Sequence, residues 1–270
     1  METPEETREA STRWWKPETL DMRLPDTELR ERCVTALTGS LTPLLAVTHH
    51  GLEHACAALA ARAAEAHGLP PASAPDAPAQ TACSLDGDLA TAADELKGSL
   101  LGLSKRLIGL LAGEDVDLDR ELQARLCLRA YAPDMGEQPE RLGAHCDATL
   151  ITLLWASAPG LQVLQPDLAQ QAGWTREHIM GFGVPSFSAE ATEPLPLHWA
   201  TVDLPWNSGA LLLTLGTGWA ASEQPRLPAH SAVLHRVVVD AAAGPPAAEY
   251  RLSLPLLVDW AALPAGGQIG

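Results

Sequence analysis

A chain of 270 residues, 46% of them hydrophobic and 22 of them proline, can bury a substantial core as one large or two small domains, with many loops between its elements. Lys and Arg total 18 against 34 Asp and Glu, and the resulting formal charge of −16 repels phosphate backbones and anionic lipid, which argues against nucleic acid or a membrane surface as the main partner. The longest apolar runs, such as "GALLLTLGTGWAA", fall short of the roughly 20 residues a membrane helix needs, and the acidic opening "METPEETREASTRWWKPETL" lacks the basic-then-apolar layout of a secretory signal, so cytoplasmic residence is expected.

The first predicted element is a helix in "DTELRERCVTALTG", where Leu29, Cys33 and Leu37 share one face, Asp26 caps the start and Gly39 closes the end. A second helix is expected in the alanine-rich "GLEHACAALAARAAEAHG". "LPPASAPDAPAQTAC" then breaks all periodicity with four prolines and reads as a surface loop. A third helix, "LATAADELKGSLLGLSKRLIGLLAG", carries Leu100, Leu103, Leu107 and Leu111 at helical spacing.

From about residue 124 the period changes. "ARLCLRAY", "TLITLLW", "LQVLQ", "GALLLTL", "AVLHRVVVD" and "YRLSLPLLV" are short and β-branched or Leu-rich, with Gly, Pro or Asp turns between them. Helices first and strands afterwards give an α+β chain with a mostly antiparallel sheet pair or barrel. Five scattered cysteines without CxxC spacing suit reduced thiols and offer no thiolate zinc site.

The chemistry concentrates in the strand half. In "LGAHCDATLITLLW" His145 and Asp147 lie two apart and would project to one side of an extended segment. "AVLHRVVVD" offers His235 as a third ligand, with Val237 and Val239 on its face. Two histidines and one carboxylate form the facial set that holds Fe(II) while leaving open positions. Arg251 and Ser253 in "YRLSLPLLV" again lie two apart, so a guanidinium and a hydroxyl face the same way, a pair suited to a carboxylate. Cys146, between two ligands, reads as a small buried apolar residue. His50 and His54 lack the carboxylate that would complete an HExxH site.

HxD, then a distal "HRV", then RxS, in that order on strands, resembles the isopenicillin N synthase-like branch of the Fe(II)/2-oxoglutarate-dependent oxygenases. "LLAVTHHGLEHACAALAARAAEAHGLPP" is similar to that family's Asn-His-Gly segment before a helix, and "LRAYAPDMGEQPERLGAHCDATLITLLW" to its Tyr-Pro stretch leading into HxD. The resemblance implies a double-stranded β-helix (jelly-roll) core with N-terminal and flanking helices in a single domain over 1–270. On that reading 1–120 is mainly helical, 121–260 is the core, and an insertion lies near 165–198. It implies His145, Asp147 and His235 as iron ligands, and Arg251, Ser253 and Tyr131 as the residues binding 2-oxoglutarate.

The implied activity is O2-dependent hydroxylation, or desaturation or cyclisation, of a small molecule in specialised metabolism. Asp147 in place of a small residue leaves no ligand position for halide. Two other readings stay open: an oxidase without 2-oxoglutarate that uses the same triad, and a non-catalytic binding protein on the same fold. The insertion, with Gly181, Phe182 and Gly183, is either a hinged lid or a plain surface segment. His49 stands where the family has Asn, and Thr217 where it often has Asp. The sequence carries no signal for the substrate's identity or the oligomeric state.

Overall fold

The computed structural model describes residues 14–38, 44–69, 80–112, 122–132, 140–164, 199–204, 206–220, 232–238 and 250–261. The expected insertion at 165–198, residues 70–79 of the expected loop at 69–83, and Val239 lie outside the described residues, and the end of that loop, Gln80–Cys83, forms a strand instead.

The predicted helices form as α1 (Asp26–Thr38), α2 (Glu53–Ala66) and α3 (Ala90–Ala112). Leu29, Cys33 and Leu37 of α1 are fully buried, as their spacing requires. Asp26 does not cap α1. It is the first helical residue, and its carboxylate accepts from Arg106 of α3, so the acid ties two helices together.

Strands run through the whole chain: β1 (Trp14–Trp15), β2 (Glu18–Asp21), β3 (Leu44–Thr48) and β4 (Gln80–Cys83) in the helical half, then β5 (Leu122–Leu126), β6 (Leu128–Tyr131), β7 (Glu140–His145), β8 (Ile151–Ala156), β9 (Leu161–Leu164), β10 (Trp199–Val202), β11 (Leu211–Leu215), β12 (His235–Val238) and β13 (Arg251–Trp260). A helical turn, α4 (Thr217–Ala220), follows β11. The first four strands are additions to the sequence reading. They are short, and β1 and β2 pair in parallel with distant partners, so no local hairpin signal marks them. Strands β2, β3 and β4 join β11, β8, β13, β6 and β5 in one eight-stranded sheet, while β1, β10, β9, β12 and β7 form a second of five strands.

Side-chain alternation sorts the large sheet into two faces. Leu45, Val47, Leu128, Ala130, Ile151, Leu153, Trp155, Leu211, Leu213, Leu254 and Leu256 pack in one cluster with the helices. Their neighbours Leu44, Ala46, Tyr131, Leu154, Ala156 and Leu212 pack instead with Leu161, Val163, Val202 and Val237 of the small sheet. A sheet covered on both faces needs strands that are apolar throughout, which explains why every residue of β8 and β11 is buried. The inner face nevertheless carries Thr152, Thr214, Arg251 and Ser253, all buried. Polar groups in such a layer call for a specific partner.

Pro255 sits within β13, between β8 and the β5–β6 line. Its carbonyl accepts from the Cys127 amide at 3.0 Å, but a proline has no hydrogen to return. The one-sided pairing coincides with the break that divides "ARLCLRAY" into β5 and β6 at Cys127.

Candidate metal centre and adjoining carboxylate site

His145 is the last residue of β7, in the small sheet, and Asp147 lies beyond the strand. The chain has to leave the small sheet there to enter β8 in the large one, so HxD occupies a crossing between sheets and not the head of "TLITLLW". The crossing is held through its backbone: the amides of Gly216, Thr217 and Gly218 donate to the carbonyls of Leu150, Asp147 and Thr149 at 2.9, 2.8 and 3.0 Å. Gly216 is required for this approach, because a Cβ there would run into the carbonyl oxygen of Thr149.

His235 opens β12, whose antiparallel pairing with β7 sets it directly opposite His145. The ring centroids are 4.3 Å apart. On the other face of β12, Arg236 donates to Gln162 of β9 at 2.8 Å and to Glu140 of β7 at 3.3 Å, and stacks over Trp199 of β10, which fixes the ligand-bearing strand from behind.

Each ligand has one committed atom and one free atom. His145 Nδ1 lies 2.8 Å from the Gly143 carbonyl and His235 Nδ1 lies 3.0 Å from that of Val233. A carbonyl only accepts, so each Nδ1 carries the proton and each Nε2 presents a lone pair. Thr152 donates to Asp147 Oδ2 at 2.6 Å, which leaves Oδ1 free. That oxygen is 3.7 Å from His145 Nε2 and 4.0 Å from His235 Nε2. These separations are too long for hydrogen bonds and leave a gap of ion size, and the three ligand atoms lie within 4.8 Å of one another. Burial pushes the His235 pKa below its ordinary value, which favours the neutral ring that a metal needs. Two imidazole nitrogens and one carboxylate oxygen fit a first-row divalent ion such as Fe(II). Among the described residues no other group of His, Cys, Asp or Glu converges in this way.

Thr152→Val should weaken Fe(II) or Co(II) affinity roughly ten- to a hundredfold, the usual effect of losing a partner that orients a ligand, while Thr152→Ser should hold it near wild type. Anaerobic metal titration reads both, and unchanged affinity in the valine variant would remove Thr152 from the site.

The triad lines one narrow cavity together with Tyr131, Ser253, Arg129, Thr152, Thr214 and the apolar Leu142, Leu154, Leu161 and Val237. A much larger void, about 900 Å3, is lined by Asp21, His49, Glu53 and Trp206 and contains no triad residue. Chemistry and not size therefore locates the site. His50 has both ring nitrogens engaged, with Gly209 O and the Leu52 amide, and so holds a turn in place.

Arg251, beside the cavity, is fully buried. Its Nε donates to the carbonyls of Ala158 and Pro159 at 3.0 and 2.8 Å, but Nη1 and Nη2 are buried without a hydrogen-bond partner. Burial lowers its pKa to about 10, which still leaves it charged at neutral pH. An unpaired buried guanidinium is costly in isolation and is the chemical complement of a carboxylate. Pairing of β13 with β6 sets Arg251 opposite Tyr131 and Ser253 opposite Arg129, so all four project to the same face. Burial raises the Tyr131 pKa above its ordinary value against the pull of Arg251 and Arg129, so the phenol keeps its proton. Cys146 is buried and its thiol is pushed up to about 12, as a small apolar filler would be.

The structure thus brings the six sequence candidates to one place, five on the cavity wall and Arg251 next to it. Thr152, Thr214 and Arg129 were missed. Each is a polar residue at an inward position of its strand; Arg129 stands two before Tyr131, so period-two counting from that candidate would have found it, whereas no candidate shares a strand with Thr152 or Thr214.

No protein-family model matches the sequence, and no curated protein does. Solved structures do match. The full-length T7H of Neurospora crassa in complex with alpha-KG aligns over 90% of this chain and 84% of its own, with 16% identity and a TM-score of 0.59. The 2-oxoglutarate complex of dioxygenase for auxin oxidation 1 from Arabidopsis thaliana aligns over 89% and 91%, with 15% identity and a TM-score of 0.58. JOX2 in complex with 2OG, Fe and JA aligns over 93% and 77%, with 16% identity and a TM-score of 0.60. The chain has the fold of these three proteins.

Proposed function

We propose that this chain is an Fe(II)- and 2-oxoglutarate-dependent oxygenase, built as a single domain on a double-stranded β-helix core, that hydroxylates a small molecule. The observation that carries the reading is the buried Arg251, with two nitrogens awaiting an anion beside a cavity whose wall ends in three converging metal-ligand atoms. A molecule with a carboxylate at one end and a chelating acid at the other spans those two features. His145, Asp147 and His235 would hold iron, which supplies the activation of dioxygen coupled to oxidation of 2-oxoglutarate.

The chain's own groups do the positioning. Arg251 and the Ser253 hydroxyl bind the far carboxylate, and Tyr131 stands across the strand pair from Arg251. Leu142, Leu154, Leu161 and Val237 exclude water from the reacting end. Thr152 keeps Asp147 Oδ1 turned toward the two imidazoles. Small-molecule substrates fit this pocket better than macromolecules, since the −16 charge disfavours nucleic acid. Among the described residues no helix is long and apolar enough to cross a membrane. A place in the cytoplasm, within specialised metabolism, is consistent with both features.

The test is anaerobic. Fe(II) and then 2-oxoglutarate are added to purified protein, and the visible spectrum is followed for the weak metal-to-ligand charge-transfer band of a chelated keto acid. The band is expected in wild type and absent in Arg251→Ala at the same ligand concentration. Iron binding without a band would point to an oxidase that draws all electrons from its own substrate. Failure to bind iron would point to a non-catalytic binding protein.

A further inference from the structure

The crossing that carries Asp147 also carries a second hydroxyl, that of Thr149. Thr152 is buried on the inner face of β8, and its oxygen lies 2.6 Å from Asp147 Oδ2 and 3.2 Å from Thr149 Oγ1. A hydroxyl has one hydrogen and two lone pairs, whereas an ionised carboxylate only accepts. The 2.6 Å separation is that of a hydroxyl donating to a charged oxygen. The one hydrogen of Thr152 is therefore committed to Asp147, and the longer contact can run in one direction only: Thr149 donates and Thr152 accepts. Three groups stand in series, Thr149 to Thr152 to Asp147, with Oδ1 left facing the two imidazoles at 3.7 and 4.0 Å.

Long-range backbone bonds fix the start of the series. The Thr149 carbonyl accepts from the Gly218 amide at 3.0 Å and the Asp147 carbonyl from the Thr217 amide at 2.8 Å. The turn after β11 thus holds both the metal ligand and the outer hydroxyl. Thr214 stands directly opposite Thr152 on β11, yet its own hydroxyl is buried without a partner. Among the described residues, the donor to the Thr152 oxygen is Thr149.

Resting on the metal-centre reading above and not on the identity of the co-substrate, we propose that Thr149 is a positioning residue of the metal site. By donating to Thr152 it holds the Thr152 hydrogen on Asp147 Oδ2 and keeps Oδ1 turned to the ion. Donation to the Thr152 oxygen also polarises its O–H bond toward the carboxylate, so the two bonds in series reinforce each other. Thr149 acts through Thr152, and its effect disappears when the Thr152 hydroxyl is absent.

The experiment is a double-mutant cycle on Co(II) affinity, read by calorimetric titration of the metal-free protein, with circular dichroism confirming the fold of each variant. Thr149→Val keeps the branched shape without the hydroxyl and should weaken Co(II) binding roughly three- to tenfold. The loss is smaller than that expected of Thr152→Val because Thr149 stands one bond further from the ion. Thr149→Ala should match the valine variant, and Thr149→Ser, which restores the donor, should stay within about twofold of wild type. In a Thr152→Val background the same Thr149→Val change should have no further effect.

Wild-type affinity in both Thr149→Val and Thr149→Ala overturns the proposal. So does a serine variant as weak as the valine one, which would take the hydroxyl out of the argument, and so does an equal loss in the Thr152→Val background, which would make Thr149 merely structural. Wild-type protein that takes no Co(II) overturns the metal-centre reading and this proposal with it, whereas a normal wild-type titration with unaltered variants overturns this proposal alone.

Discussion

Asp147→Ala should abolish iron retention and turnover together while leaving the fold intact. Asp147 holds the crossing between β7 and β8 through its backbone carbonyl, which accepts from Thr217, and that bond survives the substitution. Its side chain accepts a hydrogen bond from Thr152 through Oδ2, and Oδ1 supplies the only negative charge in the ligand set. Without it two neutral imidazoles remain, and they bind a hard divalent ion poorly. The loss in metal affinity should be roughly a thousandfold or more, well beyond the ten- to hundredfold that an orienting partner is worth. Circular dichroism and Tm should match wild type, and anaerobic metal titration reads the loss. His235→Ala should be equally inactive but less stable, because His235 is buried and its removal also leaves a cavity. A fully active His235→Ala protein would sink the assignment of the site.

Arg251→Lys should keep iron and lose most of its grip on 2-oxoglutarate. Arg251 has two jobs that one side chain performs with different nitrogens: Nε anchors it to Ala158 and Pro159, and the two terminal nitrogens remain for a ligand. Lysine has no counterpart of Nε and offers a point charge in place of a planar fork. It cannot both satisfy those carbonyls and present two parallel donors. Affinity should fall roughly ten- to a hundredfold, the range for a charge-assisted hydrogen bond. A ligand-linked Tm gives an independent reading, since wild-type protein with iron gains about 2.7 kcal/mol at a hundred times Kd. The lysine variant should gain far less at that concentration. An equal thermal shift in both proteins would take Arg251 out of the ligand site.

Much of the site was legible because strands impose a period of two. His145 and His235 each lie at a strand end, and Arg251 and Ser253 share a face of β13, as their spacing requires. Asp147 was legible for a different reason than spacing supplied. It was expected to share a strand face with His145, yet it lies past the end of β7, and the bend between sheets turns its carboxylate toward the imidazoles. Thr152 and Thr214 stayed hidden because a single polar residue in a strand becomes informative only when the inward face is known.

By itself the sequence determined the local elements and the donor chemistry. Apolar positions at helical spacing fixed α1 and α3, alanine content fixed α2, alternating or continuous apolar runs fixed β6, β8, β11 and β13, and the residue types limited the site to a nitrogen–oxygen metal set and a carboxylate clamp. The tertiary structure decided what depends on long-range pairing. It made β2, β3 and β4 part of the large sheet, set β12 against β7 so that two histidines 90 positions apart face each other, and placed β13 between β8 and β6 so that Arg251 meets Tyr131. Hydrogen bonds between strands leave no trace in the local periodicity of either partner, and only the strand order of the two sheets specifies which strands meet.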